Sequence, residues 1–107
     1  MYHLFFYVPE SHSETVKAAL FEKGAGRYGA YDSCSWESVG TGQFRPLAGS
    51  SPHLGARDRL ERVRELKVEM IVDDPLVPEV IAELRRAHPY EEPAFGLVHL
   101  FEVDGRQ

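Results

Sequence analysis

The chain has a single cysteine, Cys34, among its 107 residues. No disulfide can close within it, and a reducing compartment is expected. Long apolar runs are also missing, and none approaches the roughly 20 residues that a helix needs to cross a bilayer. Nor is there an excess of positive charge. The formal net charge is −5, and basic residues alternate with acidic ones, as in Arg57-Asp58-Arg59-Leu60-Glu61-Arg62. Such a self-compensated, solvated stretch is unlike the clustered basic surface that nucleic acid requires. The opening Met1-Tyr2-His3-Leu4-Phe5-Phe6 has neither the charged front nor the small-residue cleavage site of a signal peptide. These absences predict a cytoplasmic protein that partners neither nucleic acid nor membrane.

What the chain does contain is the composition of an ordinary globular protein, 43% hydrophobic and 27% charged. Its length predicts one domain over residues 1–107 with a modest core. Leu4 to Val8 is aromatic-rich, stops at Pro9 and reads as a buried strand. Ser11 or Ser13 is positioned to cap the helix that follows, with Val16, Ala19, Leu20 and Lys23 along one side and Gly24 and Gly26 ending it. Tyr28 to Trp36 reads as a second strand. Gly40-Thr41-Gly42 reads as the tight reversal of a β-hairpin leading into Gln43-Phe44-Arg45, and residues 46–55 as an exposed loop.

Leu66, Val68, Met70 and Val72 alternate with Lys67, Glu69 and Ile71, the clearest period-two pattern present. Asp73-Asp74-Pro75 opens a second helix whose regular part is delayed by Pro78, with Val80, Ile81, Leu84 and Ala87 facing inward. Phe95 to Val103 is the expected last strand, followed by a fraying end from Asp104 to Gln107. The order predicts an α+β, ferredoxin-like (βαββαβ) antiparallel sheet with an extra β-hairpin and two helices on one face.

Two features of that plan bear on function. In the first strand Leu4, Phe6 and Val8 point one way while Phe5 and Tyr7 point the other, and the last strand likewise has apolar residues on both sides. A sheet with one wet face should alternate instead. A homo-oligomer that covers the helix-free face is therefore expected, unless the hairpin and the 46–55 loop fold back over it.

The second feature is the run Ala87-His88-Pro89-Tyr90-Glu91-Glu92-Pro93. Pro89 must end the preceding helix, because it lacks an amide hydrogen and pushes His88 out of the helical region. His88, Glu91 and Glu92 are candidate ligands for a divalent metal such as zinc or copper, within one subunit or shared between subunits. His12 and His53 are further candidates at unknown distance. The competing reading has His88 bonded to the terminal carbonyls of its helix, Tyr90 packed and both glutamates in water. Arg45, Glu69 and Tyr90 form the candidate set for a small anionic ligand beside the glycines of the loop, although Arg45 paired with Glu69 would be merely structural. The chain lacks the phosphate-loop pattern of glycine followed by lysine and serine or threonine.

Several segments in order resemble one family: Gly24-Ala25-Gly26-Arg27-Tyr28-Gly29, Cys34-Ser35-Trp36, Gly40-Thr41-Gly42-Gln43-Phe44-Arg45-Pro46 with Pro52 and Gly55, and His88-Pro89-Tyr90-Glu91-Glu92-Pro93-Ala94. This is the YqfO-type, Nif-three-like group, whose larger members carry a domain similar to CutA and PII signalling proteins inserted within a dimetal-binding protein. The resemblance covers essentially the whole chain. It implies a CutA/PII-like subunit, a trimer, and a stand-alone form of the insert. It does not carry over the dimetal chemistry, whose ligands lie in flanking halves that match nothing here. The expected function is an oligomeric small-ligand or metal-binding regulatory module and not an enzyme. The alternative is a structural accessory or protein-interaction module with no small ligand.

Overall fold

The computed structural model describes residues 1–51 and 55–103. His53 and the expected fraying end therefore lie outside the described residues. Four strands, β1 (Tyr2–Pro9), β2 (Trp36–Phe44), β3 (Glu61–Val72) and β4 (Phe95–His99), form an antiparallel sheet. Their order is β2-β3-β1-β4. Two helices, α1 (Ser13–Glu22) and α2 (Val77–Ala87), connect β1 to β2 and β3 to β4, so the fold is α+β and ferredoxin-like.

The core follows from the period-two pattern. Leu4, Phe6 and Val8 of β1 and Leu66, Val68, Met70 and Val72 of β3 are buried together with Val16 and Leu20 of α1 and Val80 and Leu84 of α2. Ile81 and Ala87 pack around the edge of this cluster. At roughly 1.5–3 kcal/mol for each fully buried large apolar side chain, this one face supplies most of the drive to fold. Pro75 and Pro78 shape the entry to α2 as their fixed φ requires: a 3-10 turn over Asp74–Leu76 precedes the helix. An ion-pair cluster joins α1 to β2, with Lys17 Nζ 2.8 Å from Glu37 Oε1 and 2.9 Å from Glu14 Oε2.

Four details differ from the sequence reading. The second strand is Trp36–Phe44 and not Tyr28–Trp36. The backbone is left-handed at Gly26, Gly29 and Ser33, which breaks any strand there, and Tyr28 and Tyr31 meet only in an isolated bridge. Gly40 and Gly42, in turn, are not in a reversal. Neither has positive φ, and both lie inside continuous β2, so there is no reversal at this point and no additional hairpin among the described residues. Neither Ser11 nor Ser13 caps α1 through its side chain. His12 occupies that position, and Ser13 Oγ instead donates to Glu10 O at 3.2 Å. The last strand stops at His99, opposite Tyr2 at the start of β1.

The strand shift creates the molecule's main asymmetry. β1 ends opposite Glu65, yet β2 and β3 go on pairing from Gly40↔Glu65 to Phe44↔Glu61. A two-stranded ribbon thus runs beyond the helix-backed body, and the subunit measures 50 × 24 × 24 Å.

Candidate functional site

The polar connection after α2 builds one wall of a cleft on the helix-free side of this ribbon. Pro89 ends α2 as expected: His88 is extended, with φ −72° and ψ 139°, and its N–H closes the helix on Leu84 O at 2.9 Å. The imidazole is buried, only 6% exposed, and its Nε2 lies 2.7 Å from Tyr7 O. Its Nδ1 accepts the Tyr90 backbone N–H at 3.0 Å. An amide can only donate, so Nδ1 is the acceptor and Nε2 carries the proton.

This contact has a clear structural purpose. The peptide of Tyr7 faces the β4 side of β1 just past the last β1–β4 pair, and its N–H donates to Ala94 O at 3.2 Å. The His88 ring takes the Tyr7 carbonyl that the shortened β4 leaves over, standing in for a strand.

Beyond His88 the chain swings round the end of β1 to the open face. Tyr90 OH donates to Glu65 Oε2 at 2.9 Å, and its ring lies 6.1 Å from that of Phe44. Burial, followed by the hydrogen bond to Glu65, pushes the Tyr90 phenol well above its ordinary value. The phenol is therefore a proton donor to Glu65 at any physiological pH. Glu91 Oε1 accepts the Ser51 N–H at 3.0 Å, tying the start of the 46–55 loop to the same connection. Arg57 holds that loop from within, donating through Nε and Nη2 to Ser50 O at 2.9 and 2.8 Å.

The open cleft has a volume of about 630 Å³, within the range of small-molecule sites. Tyr7, Phe44 and Tyr90 give it aromatic walls, and the β2 segment containing Gly40 and Gly42 is its floor. A Cβ at position 42 would lie 2.1 Å from Glu65 Oε1, so a larger residue there would displace the Glu65 carboxylate from its place beside Tyr90.

Of the residues expected to bind ligand, Arg45, Tyr90, Glu91 and Glu92 line this cleft. Glu69 does not. It sits further along the open face with its Oε1 3.0 Å from His3 Nε2, so it is not the partner of Arg45. His88 is a strap between β1 and Tyr90, with both ring nitrogens engaged, and does not join Glu91 and Glu92 in a ligand set. Among the described residues no three His, Cys, Asp or Glu side chains stand together as a metal site. The helix-terminus contact anticipated for the imidazole is made by the His88 backbone instead. Cys34 is partly exposed in a loop, not in a strand, and its N–H donates to Gly26 O at 2.8 Å.

Sequence reasoning missed Lys67 and Phe44. Both lie on the open face by register, and Lys67 Nζ stands 5.3 Å from the centre of the Phe5 ring. The signal was available for Lys67, which occupies an outward position in the alternating β3 pattern. Phe44 could be found only once the register of β2 was known.

The fold is the α+β fold of CutA/PII-like proteins. The PII-like protein CutA from Nostoc superimposes with a TM-score of 0.64 over 97% of this chain and 82% of its own, at 16% identity. By sequence, the chain is a homologue of one segment of the NIF3-related, YqfO-type proteins. A GTP cyclohydrolase 1 type 2 homolog of Mycobacterium bovis is 50% identical over 94 residues, which is 88% of this chain and 25% of that protein. The Bacillus cereus protein related to NIF3 matches with a TM-score of 0.81 and 38% identity over 94% of this chain and 26% of its own. The chain thus spans about a quarter of the length of the curated relatives it matches. No family model matches the sequence. Among the described residues no helix is long and apolar enough to cross a membrane.

Proposed function

We propose that the chain is a homo-oligomeric, non-catalytic module that binds a small ligand in the cleft between the β2–β3 ribbon and the 89–94 connection. The observation that carries this reading is the construction of the cleft. Segments distant in sequence are latched round one volume by His88 on Tyr7, Tyr90 on Glu65 and Glu91 on Ser51. A concavity held open by hydrogen bonds, with aromatic walls, is suited to a ligand. Catalysis is disfavoured because the phenol of Tyr90 is committed to Glu65, leaving neither of the two as an obvious general acid or base.

The oligomer is supported by the open face, where Phe5 and Tyr7 are half-buried, Val98 is half-exposed and Trp36, placed there by register, is 70% exposed. A trimer is the arrangement the family resemblance favours. A divalent metal such as zinc or copper, bound through Glu91 and Glu92 and completed by a neighbouring subunit, is a narrower version of the same reading.

Thermal unfolding of the 107-residue chain against a panel of small anions, nucleotides, zinc and copper tests the ligand. A specific ligand well above its Kd raises the midpoint by several degrees. No shift from any member of the panel would favour the scaffold reading instead. That alternative, a protein-interaction module, draws on Phe101, which is 89% exposed beyond β4. Sedimentation showing only a 12.1 kDa species at micromolar concentration would remove the oligomer.

A further inference from the structure

The residue that specifies the occupant is Gly40. It lies in mid-strand on the cleft floor, and its backbone is ordinary. A Cβ built there meets nothing within 4 Å. Neither conformation nor packing among the described residues calls for glycine at this position. A strand disfavours glycine, which has no side chain to pack and loses more freedom on folding than any other residue. Among the described residues nothing occupies the space above Gly40, which leaves room for a ligand.

Its surroundings indicate what that is. Phe44 and Tyr90 stand as ring faces and edges along the cleft, a setting for a flat aromatic group. Two of the acids there already have donors: Glu65 receives the Tyr90 hydroxyl and Glu91 the Ser51 amide. Arg45, which follows Phe44 at one end of the cleft, has neither a hydrogen bond nor an ion pair among the described residues. Lys67 at the other end has its Nζ 5.3 Å from the centre of the Phe5 ring and makes no ion pair among the described residues. Glu92 also lines the cleft, so the case for an anion rests on Arg45 itself, whose forked guanidinium suits a carboxylate or phosphate.

We infer that the cleft takes a small planar aromatic anion, its ring over Gly40 and its charged group on Arg45. This rests on the cleft being a ligand site, and it adds the chemical class of the ligand. 1-Naphthyl phosphate is a suitable probe, with 1-naphthol and inorganic phosphate as its two halves, each titrated calorimetrically into the intact chain. The whole probe is expected to bind at least about tenfold more tightly than either half. Arg45→Ala should remove roughly tenfold or more of that affinity while sparing naphthol, as expected for loss of a charge-assisted hydrogen bond. Gly40→Val should abolish binding of both aromatic probes with no loss of melting temperature, since a Cβ there has free space. If the phosphate adds nothing over naphthol, or Arg45→Ala leaves the affinity of naphthyl phosphate unchanged, the anion assignment is overturned, while Gly40-sensitive naphthol binding would still uphold the cleft. If no probe binds at millimolar concentration, the aromatic class itself is overturned, and the wider panel then judges the cleft separately.

Discussion

The two ends of β3 inhabit different molecules in miniature. From Leu66 to Val72 the strand pairs with β1 and turns one face to the helices, with every second side chain buried. From Glu61 to Arg64 it has only β2 as a strand neighbour, and none of its side chains is buried. The first half is held by area removed from water. The second is held by ladder hydrogen bonds to β2 and by the Tyr90 hydroxyl on Glu65. One half is built to be stable, and the other is shaped to leave a volume open.

The largest effect expected is in the body. Phe6 is fully buried beneath the helices, and Phe6→Ala should cost about 3–5 kcal/mol in urea unfolding. A cost below about 1 kcal/mol would mean that the helix-backed face is not the principal core.

His88 tests the join between the halves. His88→Ala leaves the Tyr7 carbonyl and the Tyr90 amide without the imidazole and should cost about 1–3 kcal/mol. It should also loosen the cleft wall, seen as faster amide exchange at Tyr90. Were the same variant to keep its full stability and lose zinc or copper binding, the imidazole would be a ligand and not a strap.

The smallest effect belongs to Tyr90 and depends on pH. Because its phenol is raised above the ordinary value of 10.0 in the folded state, its contribution is fully present below pH 10. It is lost as rising pH lets the unfolded chain ionise first. Parent and Tyr90→Phe should therefore differ little in slope at pH 7–9, with the parent losing stability more steeply above pH 10. Parallel curves throughout would show that the phenol is no more shielded folded than unfolded.

This division also governed what could be read from the residues alone. The alternation from Leu66 to Val72 and the inward stripe of α2 were legible because burial on one face imposes a period. The edge strand carries no such period: most of β2 is exposed, and its glycines resemble a turn. Only tertiary pairing with β3 shows that they are extended. Arg45, Tyr90, Glu91 and Glu92 were recognisable as cleft residues by type and crowding. Glu69 was misassigned because its side chain pairs with His3, a contact between strands that local sequence does not reveal. The imidazole was misread for a related reason, since its carbonyl partner lies 81 residues away.

The alternation of β3 has one more consequence. Glu65 and Lys67 border the cleft, while Leu66 between them belongs to the core. An occupant that stiffens the first two necessarily steadies the third, with no lever or hinge in between. Recognition at this surface would thus be felt as slower opening of the whole sheet, and the amides of Leu66 and Val68 would report it to hydrogen exchange as directly as those of the cleft.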